Sequence, residues 1–108
     1  MFVSINHIPV TTGRSEDFET MFKNRDRAIE SLPGFVSIDI LRPSPKFYHG
    51  EASDSDKTNE YQVLTRWQDE ISFKNWLASD EFKKSHSKEV DRSIFAGKSY
   101  LTLHHTID

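Results

Sequence analysis

The chain has 108 residues, with 14 Lys and Arg against 17 Asp and Glu, five His and no Cys. That length fits one domain over residues 1–108, able to bury about 65% of the surface its unfolded chain exposes without disulfides or a structural metal. Interleaved charges offer no footprint for nucleic acid or an anionic membrane surface, and the missing cysteine excludes disulfide scaffolds, thiolate zinc sites and cysteine nucleophiles. No stretch approaches the roughly 18 apolar residues of a membrane span, and the start lacks a basic flank and a long apolar run, so a soluble, cytoplasmic protein is expected.

Phe2 to Val10 reads as the first strand, with Val3, Ile5 and His7 facing one way and Phe2, Ser4, Asn6 and Ile8 the other. A turn leads to Ser15, an N-cap with Glu16 and Asp17 in the first turn of a helix. Phe18, Met21, Phe22, Ala28, Ile29 and Leu32 mark its apolar face, and Pro33-Gly34 should end it. Arg25 falls on that apolar face, where the plain expectation is a snorkelling stem at its edge. Phe35 to Leu41 is a second strand, with Val36, Ile38 and Ile40 on one side and Ser37 and Asp39 on the other. Residues 44–59 are rich in turn formers and predict a long hairpin loop, its first part pinned by Phe47 and Tyr48.

Glu60 to Trp67 is the third strand. Asp69 then caps a helix whose stripe is Ile71, Phe73, Trp76 and Leu77, and the stripe pauses where Ser79 or Asp80 would cap a second short helix carrying Phe82 and His86. The break matters. On one straight helix Trp76 and His86 would lie about 15 Å apart along the axis and roughly 80° apart around it, too far to share a small ligand. A polar linker over 87–92 leads to a fourth strand, Lys98 to Thr106.

The order β-α-β-β-α-β is the split arrangement of a ferredoxin-like α+β sandwich: a four-stranded antiparallel sheet with helices on one face. Apolar residues on both registers of the first three strands call for a cover on the other face, and a second copy of the chain supplies it most simply. Several chemistries lack their parts: there is no Gly-rich phosphate loop, no Gly-x-Ser-x-Gly and no His-Glu-x-x-His. His104 and His105 must point to opposite sides of a strand and cannot chelate one ion together.

Asn6 in the first strand, Leu32-Pro33-Gly34-Phe35, Trp67 at a strand end, and above all the run from Asn75 through Trp76 to His86 closely resemble the IsdG-type haem-degrading monooxygenases, over about residues 2–106. Those enzymes belong to the antibiotic-biosynthesis-monooxygenase (ABM) superfamily, whose ferredoxin-like domains pair their sheets as a dimeric β-barrel. The resemblance implies a single ABM-type domain, a homodimer, and haem as both substrate and cofactor, with O2 and an external electron donor, a reductase or a small reductant. It implies that His86 ligates the haem iron as a neutral imidazole. Asn6 would donate its amide N–H toward the reacting oxygen, where negative charge develops, and Trp76 would press the porphyrin out of plane. Arg25 would anchor a propionate, since guanidinium pairs well with carboxylate. Ring opening would then release iron. Two rivals stand beside this reading: a cofactor-free monooxygenase acting on a quinol- or anthrone-like aromatic, and a haem-binding protein that leaves its ligand intact.

Overall fold

The computed structural model of the chain describes residues 1–53, 59–86 and 90–107. The elements are β1 (Phe2–Pro9), α1 (Ser15–Lys23), a 3-10 turn (Ala28–Ser31), β2 (Phe35–Leu41), the short β3 (Lys46–Tyr48) and β4 (Glu51–Ser53), β5 (Glu60–Trp67), α2 (Glu70–Leu77), α3 (Asp80–His86), a second 3-10 turn (Arg92–Ile94) and β6 (Tyr100–His105). The main sheet is antiparallel in the order β2-β5-β1-β6, as the ferredoxin-like arrangement requires. No helix among the described residues is long and apolar enough to cross a membrane.

Direct pairing fixes which side chains share a face. Phe2, Ser4, Asn6 and Ile8 stand opposite Trp67, Thr65, Val63 and Tyr61, and so lie on one face of the sheet. The helices cover that face in two places. Phe18 of α1 packs with Ile8, Val10, Tyr61 and Ile94, while Phe73 of α2 packs with Phe2 and Trp67. Val3, Ile5 and His7 point to the opposite face with Leu64 and Gln62.

Where sequence and structure part, a local hydrogen bond decides. The helix expected to run to Leu32 stops at Lys23, because Asn24 closes it and the Asp26 carboxylate accepts from the Ala28 N–H at 2.9 Å, turning the backbone. Arg25 therefore sits in the break and not on a helical face. Ser15 does not cap α1; its hydroxyl donates to Asn59 Oδ1 at 3.1 Å. In β2 a bulge between Phe35 and Ser37 lets Phe35 meet Trp67 edge to face at 5.5 Å, while Val36 turns out to solvent.

The 44–59 loop contains the β3–β4 hairpin, closed by His49 and Gly50 at φ 44° and 95°, the left-handed pair of a two-residue turn. Phe47 is 70% exposed and pins nothing, and Ile71, 69% exposed, lies off the buried stripe of α2. The turn at Arg92–Ile94 had no periodic signal; it buries Ile94 and brings Phe95 into a bridge with Val10. Residues 54–58 and 87–89 of these two stretches lie outside the described residues. Gly34 enters β2 at φ +83°, and a Cβ there would stand 2.0 Å from Ser72 Oγ, so this turn is closed against α2 by the lack of a side chain.

Candidate active site

The site lies between the two packed ends of the helix-covered face. Asn6 rises from the middle of β1, and its side-chain amide has no hydrogen-bond partner among the described residues. Below it, α2 starts on the Asp69 carboxylate, which accepts from the Ser72 N–H at 2.8 Å; the Ser72 hydroxyl and N–H together hold that carboxyl below its usual range. The helix ends at Leu77 because Ser79 takes over: its hydroxyl donates to the Trp76 carbonyl and accepts from the Phe82 N–H at 3.1 Å, capping α3. The expected break is there, with Ser79 and not Asp80 as its cap.

The break folds the aromatic side chains into a chain of contacts. Trp76 stacks on the buried Trp67 with centroids 5.9 Å apart and meets Phe82 edge-on at 5.0 Å. Phe82 stacks on His86 at 4.0 Å, which places His86 6.3 Å from Trp76. His86 Nδ1 lies 2.8 Å from the Phe82 carbonyl. A carbonyl only accepts, so Nδ1 is the donor in this contact, and Nε2 is left as the ring nitrogen that could ligate a metal.

Arg25 bends back so that its Nη1 donates to the Phe22 carbonyl at 2.9 Å, while its enclosed Nε has no partner. Asn6, Arg25, Trp76 and His86 all line one cavity of about 530 Å³, floored by Ile38 and Val63 of the sheet. That size is within the range of cofactor pockets. A second chamber of about 850 Å³ shares Asn6, Arg25 and His86 with the first and continues toward Arg92 and Lys98.

Ser4, Asp26, Thr65, Ser85 and Tyr100 also line the smaller cavity, whereas the remaining histidines and the Glu19 cluster lie away from it. His7, on the far face of the sheet, lies 2.8 Å from Glu60 and 2.9 Å from Thr102. His105 contacts Glu70 at 3.4 Å and His104 contacts Thr102, as befits strand histidines on opposite sides. At the α1 end, Arg42 and the Tyr61 hydroxyl both bond Glu19, holding its carboxyl at about 2, and burial together with Glu19 raises the Tyr61 phenol. Phe82, which joins Trp76 to His86, was not singled out from sequence as a site residue; its spacing of four from His86 on a helix was the available signal.

The sequence model of the family "Antibiotic biosynthesis monooxygenase" matches residues 1–88, which include three strands of the main sheet and the helices that line the cavity. The chain belongs to that family. It is 29% identical over 106 residues to a haem oxygenase (mycobilin-producing) of Mycobacterium tuberculosis, an alignment covering 98% of this chain and 90% of the relative. The solved structure of the haem degrader MhuD from Mycobacterium tuberculosis, with two haems bound in its active site, matches with a TM-score of 0.76 at 24% identity, covering 99% of this chain and 96% of that one. SnoaB, a cofactor-independent oxygenase from Streptomyces nogalater, shares the fold with a TM-score of 0.66 at 23% identity, covering 99% and 93%. The likeness to IsdG-type haem degraders read from the sequence is thus borne out.

Proposed function

We propose that the protein is a haem-degrading monooxygenase that holds haem by the His86 imidazole and opens the porphyrin ring to a bilin, releasing iron. One observation carries this reading: Asn6, Arg25, Trp76 and His86 line a single cavity, with His86 Nε2 directed away from its own helix bond. Two details of the cavity suit the ligand. His86 is set for iron, and the orphaned Arg25 Nε lacks the acceptor that a propionate would provide.

Haem, once bound, supplies the iron at which dioxygen is reduced and the ring that is opened, with electrons from an external donor. The chain's own residues do the rest. His86 fixes the ring's position, its tautomer set by the Phe82 carbonyl. Asn6, its amide without another partner among the described residues, would offer an N–H to the reacting oxygen, where negative charge builds. Trp76, backed by Trp67 and edged by Phe82, would pack against the bound macrocycle and supply the steric pressure that tunes its reactivity. On the far sheet face Ile5 and Leu64 are only half-buried in the single chain, and a second copy packing there would complete a homodimer.

The likeness to SnoaB keeps one other reading in view, a cofactor-free oxidation of a quinol- or anthrone-like aromatic in the same cleft. Titration with haemin followed by ascorbate in air separates them. We expect a Soret shift on binding and then Soret decay with new bilin-like absorption. No shift would favour the cofactor-free reading, and a shift that survives ascorbate would leave a haem-binding protein only.

A further inference from the structure

The larger chamber carries a charge pattern that haem ligation by His86 does not account for. Its rim brings together Arg25, Arg92 and Lys98, and among the described residues no Asp or Glu lines it, in a chain whose net charge is −3. The arginines divide cleanly. Of six in the sequence, Arg14, Arg27, Arg42 and Arg66 each reach a carboxylate at 2.5 to 3.4 Å. Among the described residues Arg25 and Arg92 reach none, and these two face the chamber. Arg92 has an acidic neighbour in sequence, but Asp91 turns to Arg14 at 3.0 Å and accepts from the Ser93 N–H at 3.0 Å, so that carboxylate is spent elsewhere. Arg25 Nε, enclosed without a partner, is a donor waiting for an acceptor. Between the cations the wall is apolar, with Ile8, Phe22 and Phe95.

We infer that Arg92 and Lys98, with Arg25, read the carboxylates of the substrate: the chamber takes the propionate-bearing edge of the tetrapyrrole, and the opposite edge lies against Trp76. This rests on the haem reading above. Two carboxylates on one edge of a flat ring call for cations grouped on one side, and guanidinium meets carboxylate through two parallel N–H donors. The two chambers join at Asn6, Arg25 and His86, so a ring centred there spans both. The consequence is a single entry orientation and selection for a charged ring over a neutral one.

Haemin and its dimethyl ester, which keeps ring and iron but loses both negative charges, test this by Soret titration. The native chain is expected to prefer haemin by about tenfold to a hundredfold. Replacing both cations, Arg92→Gln with Lys98→Gln, is expected to remove most of that preference by weakening haemin alone; unchanged ester binding reports that the cavity is intact. The charge-keeping pair Arg92→Lys with Lys98→Arg restores it, and Arg27→Gln, whose guanidinium is held by Glu30, leaves it alone. A double variant that keeps the full preference, or a native chain that binds both ligands equally, overturns the inference while leaving haem binding in place. A native chain that shifts neither ligand's Soret band overturns the haem reading, and this inference with it.

Discussion

At its two ends the helix-covered face of the sheet is filled with aromatic rings; halfway along the same strands it is lined by Ser4, Asn6, Val63 and Thr65. Reading along β1, Phe2 belongs to one packed cluster and Ile8 to the other, and along β5 Trp67 and Tyr61 do the same in reverse. The helices repeat the contrast, with Phe73 seated at one end, Phe18 at the other, and the break at Asn24 and the break at Ser79 both opening toward the middle. Packing is thereby concentrated in space: the ends are filled, and the middle is left as a cavity.

The largest expected effect comes from emptying an end. Trp67 is fully buried and its indole N–H donates to Thr65 at 2.9 Å, so Trp67→Ala is expected to cost about 3–5 kcal/mol in chemical denaturation. A loss under about 1 kcal/mol would mean the ends are not what holds the fold. His86→Ala should do the reverse: haemin affinity falls about a hundredfold or more, while stability changes by less than about 0.5 kcal/mol because the side chain is exposed. A sharper probe is Val63→Phe, which grows a ring into the empty middle; haemin binding should weaken about tenfold with little change in unfolding midpoint. If it destabilises as much as Trp67→Ala, the middle is packed after all.

The smallest effect is set by pH at the α1 end. Glu19, held at about 2 by Arg42 and Tyr61 against an ordinary 4.5, stays ionised in the folded chain at pH values where the unfolded chain would protonate it. Its stabilisation is complete above about pH 4.5 and fades as pH falls toward 2. Glu19→Gln should flatten that acid limb and leave denaturation curves near pH 7 with only a small offset, since the pair is partly exposed and screened by water. An unchanged acid limb would remove Glu19 from the account.

Much of this architecture was legible in the chain. The strands Phe35–Leu41 and Glu60–Trp67 end where periodicity ends, and the paired short helices after Asp69 follow from cap residues. The misses share a cause. Asp26 turns the chain after α1 through a side-chain bond that an apolar stripe does not reveal, so the stripe places Arg25 at the edge of a helix that does not reach it. Val36 was misassigned because a bulge shifts register without any mark in composition. Resemblance singles out Asn6, Trp76 and His86, and the break between α2 and α3 lets the last two line one cavity with Asn6. Arg92 and Lys98 carry no such signal; only the fold takes Asp91 to Arg14 and brings the two cations to one chamber.

The stacked indoles have an optical consequence. The chain has two tryptophans, 5.9 Å apart, and one of them forms a wall of the cavity while the other is buried against it. All the indole emission of the molecule therefore originates within a ring's width of the ligand, and a pigment absorbing near 400 nm (on the order of the Soret band) entering there will quench it almost completely by energy transfer. The paired indoles thus form a built-in fluorescent gauge of whether haemin enters the cavity, with no added label.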